Sequence, residues 1–263
     1  MAERRGDLRG EGAVRKFALI GGSGLDRLAG LEPRRETQPV TVWGSPSAPL
    51  LEGLLEGEPV CFLPRHGRDH RLAPHRIDYR ANIAALRALG VTDVFAVSAV
   101  GGIAPDASPG TIVIPDQIVD YTHGRAHTFY DGTTPALDHV DFTAPYATTL
   151  RTALIDAAHA LGLAIVAQGC YGATQGPRLE SAAEIRRLAR DGCTIVGMTG
   201  MPEAALAREA GLAYANVSLV ANRAAGLGAG PITLDAIERH LARGMDDVVR
   251  LVAAALRRLG AAA

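Results

Sequence analysis

Short runs of apolar and β-branched residues recur along the chain, and segments with helical spacing separate several of them. The runs read as strands buried on both faces because they contain almost no polar residues. They lie at 17–20, 41–44, 60–63, 94–99, 111–114, 164–171, 194–198 and 214–220. Helical spacing occurs at about 78–89, 146–161, 180–190, 202–210 and from Leu234 onwards. This alternation predicts an α/β fold with helices on both faces of a sheet.

The last helical segment is the longest, and Thr233 precedes it as the predicted N-cap. Its apolar residues recur every three or four positions and form one stripe, made of Leu234, Ile237, Leu241, Met245, Val248, Val252 and Leu256. No long linker or repeat divides the 263 residues, so we expect one domain over 17–263. Residues 1–16 are charged and lack an apolar face, which indicates a disordered N-terminal extension.

Composition excludes several classes of protein. The net charge of −1 argues against nucleic acid and anionic membrane surfaces as partners. The apolar runs are too short to span a membrane, and the first 16 residues lack the apolar core of a secretory signal. Three cysteines without a CxxC pair are typical of reduced thiols, so we expect a cytoplasmic protein.

A glycine-rich turn follows the first predicted strand. In the segment GGSGLD, at 21–26, glycines allow a tight turn and Ser23 adds a hydroxyl donor. The spacing matches a dinucleotide fingerprint only in part, because Arg27 stands where a third glycine is expected. A small oxyanion such as phosphate suits the turn better, and a plain strand-to-helix turn is the alternative.

Three further strand ends carry cationic or hydroxyl side chains next to glycine or proline. Arg65 and His66 follow one strand, Ser98 and Ala99 end another, and Thr199 follows a fourth. A guanidinium has a planar fork that matches phosphate, although a solvated charged loop is the alternative for 64–70. Ligands of open α/β sheets bind beyond the carboxyl ends of the strands. The four ends together therefore predict one phosphate site.

The segment 121–145 is long, polar and rich in histidine, and a loop of this length is usually functional. A metal site is the alternative role for His123, His127 and His139, but their spacing matches no zinc pattern and no cysteine is near. A Ser-His-Asp hydrolase is disfavoured because no G-x-S-x-G elbow is present. We therefore predict no metal.

Several motifs together resemble the trimeric nucleoside phosphorylases. They are GGSGLD, PRHGRDH, PHRIDYRANIAAL, SAVGGI, QGPRLESAAEIR and VGMTGMPEAALARE, which follow the family's order between about residues 17 and 257. The branch most similar in these motifs contains the methylthioadenosine and methylthioinosine phosphorylases. The resemblance implies a mixed, twisted sheet flanked by helices, a homotrimer, and reversible cleavage of a purine N-glycosidic bond by phosphate. It implies no metal or organic cofactor, with inorganic phosphate as co-substrate.

The resemblance also implies roles for individual residues. Phosphate would be held by Ser23, Arg65, His66, Ser98, Ala99 and Thr199. The nucleoside would contact Leu179, Glu180, Met198, Asn222, Ala224, Leu234 and Ile237, with His139 supplied by a neighbouring subunit. Catalysis would fall to Asn222, Arg65 and His66.

Two of these positions bear on the choice of purine. Adenine-specific members carry Asp-x-Asp where this chain has Asn222-Arg223-Ala224, and serine where it has Glu180. An asparagine amide can donate to O6 and accept from a protonated N7, and a carboxylate can accept from N1–H of hypoxanthine. We therefore expect a 6-oxopurine, with a turn residue as the alternative role of Asn222.

Leu234 and Ile237 give the predicted wall at the 5′ end an apolar character, which suits a methylthio group. We therefore expect S-methyl-5′-thioinosine as the substrate. Three alternatives stay open. They are a phosphorylase of inosine and guanosine, a methylthioadenosine phosphorylase, and a nucleoside-sensing binding protein without catalysis.

Overall fold

A computed structural model describes residues 15–132 and 137–261, which form one α/β domain. The described residues contain eleven strands of one mixed sheet and five α-helices, so the predicted α/β class is confirmed. The strands are β1 (Phe17–Gly21), β2 (Leu31–Thr37), β3 (Leu50–Leu55), β4 (Glu58–Pro64), β5 (Asp93–Gly102), β6 (Ile112–Val113), β7 (Gln117–Asp120), β8 (Ile165–Val166), β9 (Cys170–Ala173), β10 (Ile195–Gly197) and β11 (Ala213–Arg223). The helices are α1 (Tyr79–Ala88), α2 (Thr148–Leu161), α3 (Ala182–Arg190), α4 (Gly200–Glu209) and α5 (Leu234–Gly260).

The sheet runs in the order β2-β3-β4-β1-β5-β10-β9-β7, and β11 branches from β5 and leads through β6 to β8. Strands β4, β1, β5 and β11 are parallel, so their carboxyl ends lie at one edge. Strand β10 is antiparallel to the last part of β5. Two large apolar clusters cover the faces, one with α2 and α5 and the other with α1 and α4.

The sequence pattern misplaced several strands. Residues 41–44 form only an isolated bridge between Thr41 and Gly44, and Val42 is 94% exposed. The pattern missed β2, because its middle residues are exposed and polar and an unburied strand has no apolar pattern. The predicted strand at 164–171 is two strands, β8 and β9, separated by Ala167–Gly169.

The predicted start of α5 is confirmed, because the Thr233 side chain accepts a hydrogen bond from the Ala236 amide at 3.3 Å.

Within the predicted extension, residues 1–14 lie outside the described residues. Lys16 is joined to the domain, since its amide donates to Thr92 Oγ1 at 3.0 Å and its ammonium pairs with Glu52 at 2.9 Å. No helix in the described ranges is long and apolar enough to cross a membrane.

Candidate active site

A cavity of about 430 Å³ lies at the carboxyl ends of the parallel strands. It brings together every residue predicted for phosphate and nucleoside except one. Its lining includes Ser23, Arg65, His66, Ser98, Ala99, Leu179, Glu180, Met198, Thr199, Asn222, Ala224, Leu234 and Ile237. The exception is His139, which is exposed and does not line the cavity of its own chain.

Arg65 makes more hydrogen bonds to the protein itself than its predicted role as a phosphate ligand implied. Its side chain is fully buried, and its Nε and Nη2 donate to the two carboxylate oxygens of Glu203 at 2.7 and 2.8 Å. Nη1 donates to the Val97 carbonyl at 2.9 Å. Burial lowers the pKa of Arg65, but Glu203 more than offsets this and leaves it above its usual value. Arg65 therefore reaches the cavity as half of a buried ion pair, not as a free cation.

Position 22 needs glycine because the Arg65 guanidinium and the Val97 carbonyl pack directly against its backbone. A Cβ on Gly22 would lie 2.7 Å from the Val97 carbonyl oxygen and 2.8 Å from Arg65 Nη1. Both distances are shorter than a side chain tolerates, and the first is to backbone. The turn GGSGLD thus needs glycine here for close approach, since Gly22 has no positive φ.

His66 is buried, and its Nδ1 lies 2.7 Å from the Leu72 carbonyl oxygen. Because a carbonyl only accepts, Nδ1 carries a proton and donates it. Burial lowers the pKa of His66 to about 4, with the charge of Arg65 adding to the effect. The ring is therefore neutral at pH 7, and Nε2 is the nitrogen left for a ligand.

A second histidine of the same motif stacks on the first, with ring centroids 4.3 Å apart. The Nδ1 of His70 donates to Asp26 Oδ1 at 2.9 Å, and its Nε2 lies 3.4 Å from Ser23 Oγ. The pair His70–Asp26 thus holds the Ser23 hydroxyl at the cavity. Ser23 lines the cavity, as the phosphate prediction requires, and the sequence analysis assigned no role to His70 or Asp26.

Ser98 lies inside β5, not at its end as predicted, because pairing with β10 prolongs β5 to Gly102. Its Oγ accepts from Asn216 Nδ2 at 2.9 Å, and Asn216 Oδ1 accepts from Ser218 Oγ at 2.6 Å. All three side chains are buried. The Ser98 hydroxyl also lies within hydrogen-bonding reach of Tyr171, and a hydroxyl can rotate its single proton towards a bound oxyanion.

Thr199 follows β10, and its amide donates to the Tyr171 hydroxyl at 3.4 Å. Arg125, from the long polar segment, is buried and fixes the backbone around this turn. It donates to the carbonyls of Met198 at 2.8 Å and Met201 at 2.6 Å, and across to Gln175 at 2.8 Å. Arg125 thus ties that segment to the turn that carries Met198, and the sequence analysis did not single it out.

Glu180 and Asn222 line the same cavity. Glu180 is half-buried, and its Oε1 accepts from Thr174 Oγ1 at 2.6 Å. Asn222 donates one Nδ2 proton to the Arg223 carbonyl at 2.8 Å, which leaves the second proton and Oδ1 for a ligand. A register shift in β11 between Val220 and Asn222 places an extra residue there, and such bulges re-aim side chains next to active sites.

Ala224 is buried in a small apolar cluster with Ile103, Ile185, Leu188, Cys193 and Val196. Arg223 anchors the neighbouring loop by donating to the carbonyls of Ile103, Ala104 and Ala107. Asn222 is therefore held by backbone pairing with β5 and by the bonds of its neighbour Arg223. It belongs to a strand and does not lie in a simple turn.

The other wall of the cavity is apolar and partly open. Leu234 begins α5 and is 74% exposed, Leu179 is 44% exposed, and Ile237 is half-buried. These side chains lie at the rim, where they can cover an apolar group of a bound molecule.

Metal ligands are not assembled in the described part of the chain, where no group of three or more His, Cys, Asp or Glu side chains could hold an ion. His123 and His127 are exposed, and neither lines the cavity. The His127 Nδ1 bonds the Arg125 carbonyl at 3.2 Å.

Four of the supporting residues that the sequence analysis missed are buried polar side chains, namely Arg125, Glu203, Asn216 and Ser218. Glu203 is an acidic residue on the apolar face of α4, and Asn216 and Ser218 interrupt the apolar run of β11. A polar residue at a position that the pattern buries needs a partner, so each was a detectable signal. The identity of the partner was not detectable.

The chain matches the model of the family described as the phosphorylase superfamily over residues 16–257. It is 52% identical to a probable S-methyl-5′-thioinosine phosphorylase of Xanthomonas campestris pv. campestris, over 81% of this chain and 85% of the relative. It is 44% identical to a 6-oxopurine nucleoside phosphorylase of Pyrococcus furiosus, over 92% of each. The methylthioadenosine phosphorylase of Schistosoma mansoni in complex with adenine superposes with a TM-score of 0.90, 31% identity, and coverage of 94% and 93%.

Proposed function

This chain belongs to the phosphorylase superfamily, and we propose that it cleaves S-methyl-5′-thioinosine with phosphate to hypoxanthine and 5-methylthioribose 1-phosphate. It is an enzyme of the purine nucleoside phosphorylase type. The observation that carries the proposal is the lining of one cavity by Asn222, Glu180, Leu234 and Arg65. These residues supply a 6-oxopurine reader, an apolar wall and an anion site.

The anion end holds phosphate through Ser23, Arg65, His66, Ser98, Ala99 and Thr199. The Ser98 hydroxyl is oriented by Asn216 and Ser218, and Arg65 is immobilised by Glu203. Donors fixed in this way lower the entropic cost of placing phosphate beneath the sugar. One phosphate oxygen then bonds to the anomeric carbon as the bond from that carbon to the purine breaks, through a sugar with cationic character.

The purine end stabilises the departing base. The free Asn222 amide proton faces O6. As the ester forms, hydrogenphosphate loses its proton and the departing base gains one at N7, which donates to Asn222 Oδ1, so the electron pair that leaves with the base is neutralised. The Glu180 carboxylate, aligned by Thr174, accepts from N1–H of hypoxanthine. An adenine has no proton on N1, so Glu180 would face a second acceptor.

The sugar lies between these ends, against Met198. Leu234 and Ile237 border the cavity near the start of α5 and cover the 5′ group. A methylthio group is apolar and matches them, whereas a 5′-hydroxyl there finds no partner among them.

The second candidate is a 6-oxopurine nucleoside phosphorylase that acts on inosine and guanosine. The relative from Pyrococcus furiosus carries that name at 44% identity, and its name specifies the same class of base. A methylthioadenosine phosphorylase would need a base pocket that tolerates Glu180 and Asn222 against adenine. A nucleoside-sensing protein would not need the phosphate cluster.

We also infer a homotrimer in which His139 of one subunit closes the cavity of the next. His139 is exposed, and the apolar rim at Leu179 and Leu234 is open in the single chain. A neighbour that covers this rim would exclude water from the sugar. We place the enzyme in the cytoplasm and assign it no metal or organic cofactor.

The test is a substrate panel of methylthioinosine, methylthioadenosine, inosine, guanosine and adenosine, each with and without phosphate. We expect phosphate-dependent release of hypoxanthine from methylthioinosine with the highest kcat/KM. Equal kcat/KM for inosine would favour the second candidate. Binding of nucleosides without any phosphate-dependent cleavage would support a sensor.

A further inference from the structure

The anion end of the cavity is nearly balanced in charge, although it contains an arginine. Arg65 is paired through two hydrogen bonds with Glu203, and both side chains are fully buried. The His66 ring is neutral at pH 7. Hydrogenphosphate and sulfate both carry a charge of −2, so attraction by net charge does not distinguish them, and hydrogen-bond matching has to do so.

Several of the groups there are donors. Arg65 has N–H groups beyond those used on Glu203 and Val97, and the Ser98 hydroxyl, whose oxygen accepts from Asn216, can turn its proton towards a bound anion. A fully deprotonated tetrahedral anion can accept from all of these groups.

His66 has the opposite character. Its Nδ1 proton is fixed on the Leu72 carbonyl at 2.7 Å, so the neutral ring presents a lone pair on Nε2. An oxyanion oxygen placed against that lone pair would be an acceptor facing an acceptor. A hydroxyl on the bound anion would instead donate to it.

On the basis of the proposed function, we propose that His66 Nε2 accepts the proton of hydrogenphosphate, and that this bond makes the site select anions that carry one hydroxyl. Phosphate and arsenate are such anions near neutral pH. Sulfate has the same shape and a charge of −2 but no proton, so it leaves Nε2 unpaired. A buried polar group without a partner weakens binding.

The experiment measures binding of phosphate, arsenate and sulfate to the full-length protein by calorimetry at about pH 8. We expect phosphate and arsenate to bind at least about ten-fold more tightly than sulfate. In paired buffers of different ionisation enthalpy, we expect no net uptake of a proton with phosphate. Uptake of one proton would show that His66 binds as a donating imidazolium, and would overturn the proposal.

The matched variants separate this bond from folding. His66→Asn places an amide at the position of Nδ1, where it can still donate to Leu72, and removes the group at Nε2. We expect it to lower phosphate affinity about ten-fold or more while sulfate affinity changes less than about three-fold. His75→Asn, at an exposed histidine outside the cavity, should retain the wild-type preference.

Two outcomes distinguish the inference from the proposed function. Equal affinity of the wild type for sulfate and phosphate, together with intact phosphorolysis, would overturn the role of His66 alone. Absence of any phosphate-dependent cleavage would overturn the proposed function. If His66→Asn fails to fold, His66→Gln and the wild-type ratio and proton count still decide the matter.

Discussion

Arg65 and Glu203 lie 138 positions apart in the sequence and meet through two hydrogen bonds of 2.7 and 2.8 Å in the core. The Tyr214 hydroxyl donates to the same carboxylate at 2.8 Å. The pair links the end of β4 to α4 and β11, so it supports the fold as well as the anion site.

Replacing Arg65 by alanine is therefore expected to destabilise the protein, and not merely to weaken phosphate binding. It leaves the Glu203 carboxylate buried without its partner, at a cost of about 3–5 kcal/mol in the free energy of unfolding. Urea denaturation measures this. Arg71→Ala is the control, because Arg71 lines the same cavity but is exposed, and should change stability by less than about 0.5 kcal/mol.

The double variant Arg65→Met/Glu203→Met separates stability from function. Removing both charges should recover most of the lost stability. Phosphate-dependent activity should remain absent. An Arg65→Ala protein with a wild-type urea midpoint would contradict the structural role of the pair.

Gly22→Ala tests the close approach at the turn. The new methyl group would meet the Val97 carbonyl and Arg65 Nη1, so we expect a loss of about 1–3 kcal/mol in stability and a raised KM for phosphate. Gly230→Ala is the control, since a Cβ there has no neighbour within 4 Å. Unchanged thermal unfolding and phosphate KM in Gly22→Ala would show that the guanidinium does not need this path.

Asn222→Asp should shift preference from methylthioinosine towards methylthioadenosine. A protonated aspartate can donate to N7 of adenine, whereas its carboxylate repels O6. Adding Glu180→Ser removes the acceptor opposite adenine N1 and should extend the shift to a total of one to two orders of magnitude in the ratio of kcat/KM, from a mismatch of about 1–3 kcal/mol. Position 224 is left unchanged, because a carboxyl group there would enter the apolar cluster around Ala224.

The control for this series is Glu184→Gln. Glu184 is half-buried, pairs with Arg178 at 2.8 Å and does not line the cavity, so the ratio should stay at its wild-type value. If the double variant leaves the ratio unchanged, Asn222 and Glu180 do not read the base.

His66 should make stability depend on pH in mildly acidic solution. Its folded-state pKa of about 4 lies below its ordinary value of 6.5, so the unfolded chain takes up the proton first as the pH falls. The contribution is complete above about pH 6.5 and declines by about 3 kcal/mol as the pH falls to about 4. Urea midpoints at several pH values measure it. The decline should be smaller in His66→Asn and unchanged in His75→Asn.

Sharing of His139 between subunits can be tested by complementation. Asn222→Ala inactivates a subunit's own cavity, and His139→Ala should inactivate the cavity of its neighbour. Co-expressed in one cell, the two variants should form mixed oligomers in which some cavities have both residues. Activity of the mixture well above the sum of the separate variants is expected. A mixture no more active than that sum, or a fully active dilute monomer, would exclude the shared site.

The strand-end pattern brought Ser23, Arg65 and Thr199 together, because strand ends in parallel sheets meet at one edge, and they line one cavity. The assignment of Asn222 and Glu180 to the base came from the resemblance of the motifs.

The hydrogen-bond partners of the site residues could not be predicted in this way. The bond from His66 to Leu72 depends on the path of a loop, and the Arg65–Glu203 pair depends on how α4 packs on the sheet.

The prediction of the fold lacked three strands, β2 and β7 at the two ends of the main strand order and β3 beside β2. Strand β2 pairs with β3 through backbone groups, and its middle residues are exposed, so nothing in its side chains marks it. Residues 41–44 have the residue types of a strand, but Val42 extends into solvent and no neighbouring strand pairs with it. Strand pairing depends on a second strand, so the residues of one segment do not determine whether that segment pairs.

Strand β11 carries both the buried chain that orients Ser98 and the amide of Asn222. One continuous strand therefore sets the distance between the proposed phosphate end and the proposed purine end of the cavity. An insertion or deletion within β11 would disturb the two ends together. Leu234 and Ile237 stand on α5, beyond a loop of ten residues that follows Arg223. If Leu234 and Ile237 cover the 5′ group as proposed, substitutions on that helix would alter which 5′ group is accepted without changing β11, so substrate range and chemistry could evolve separately in this molecule.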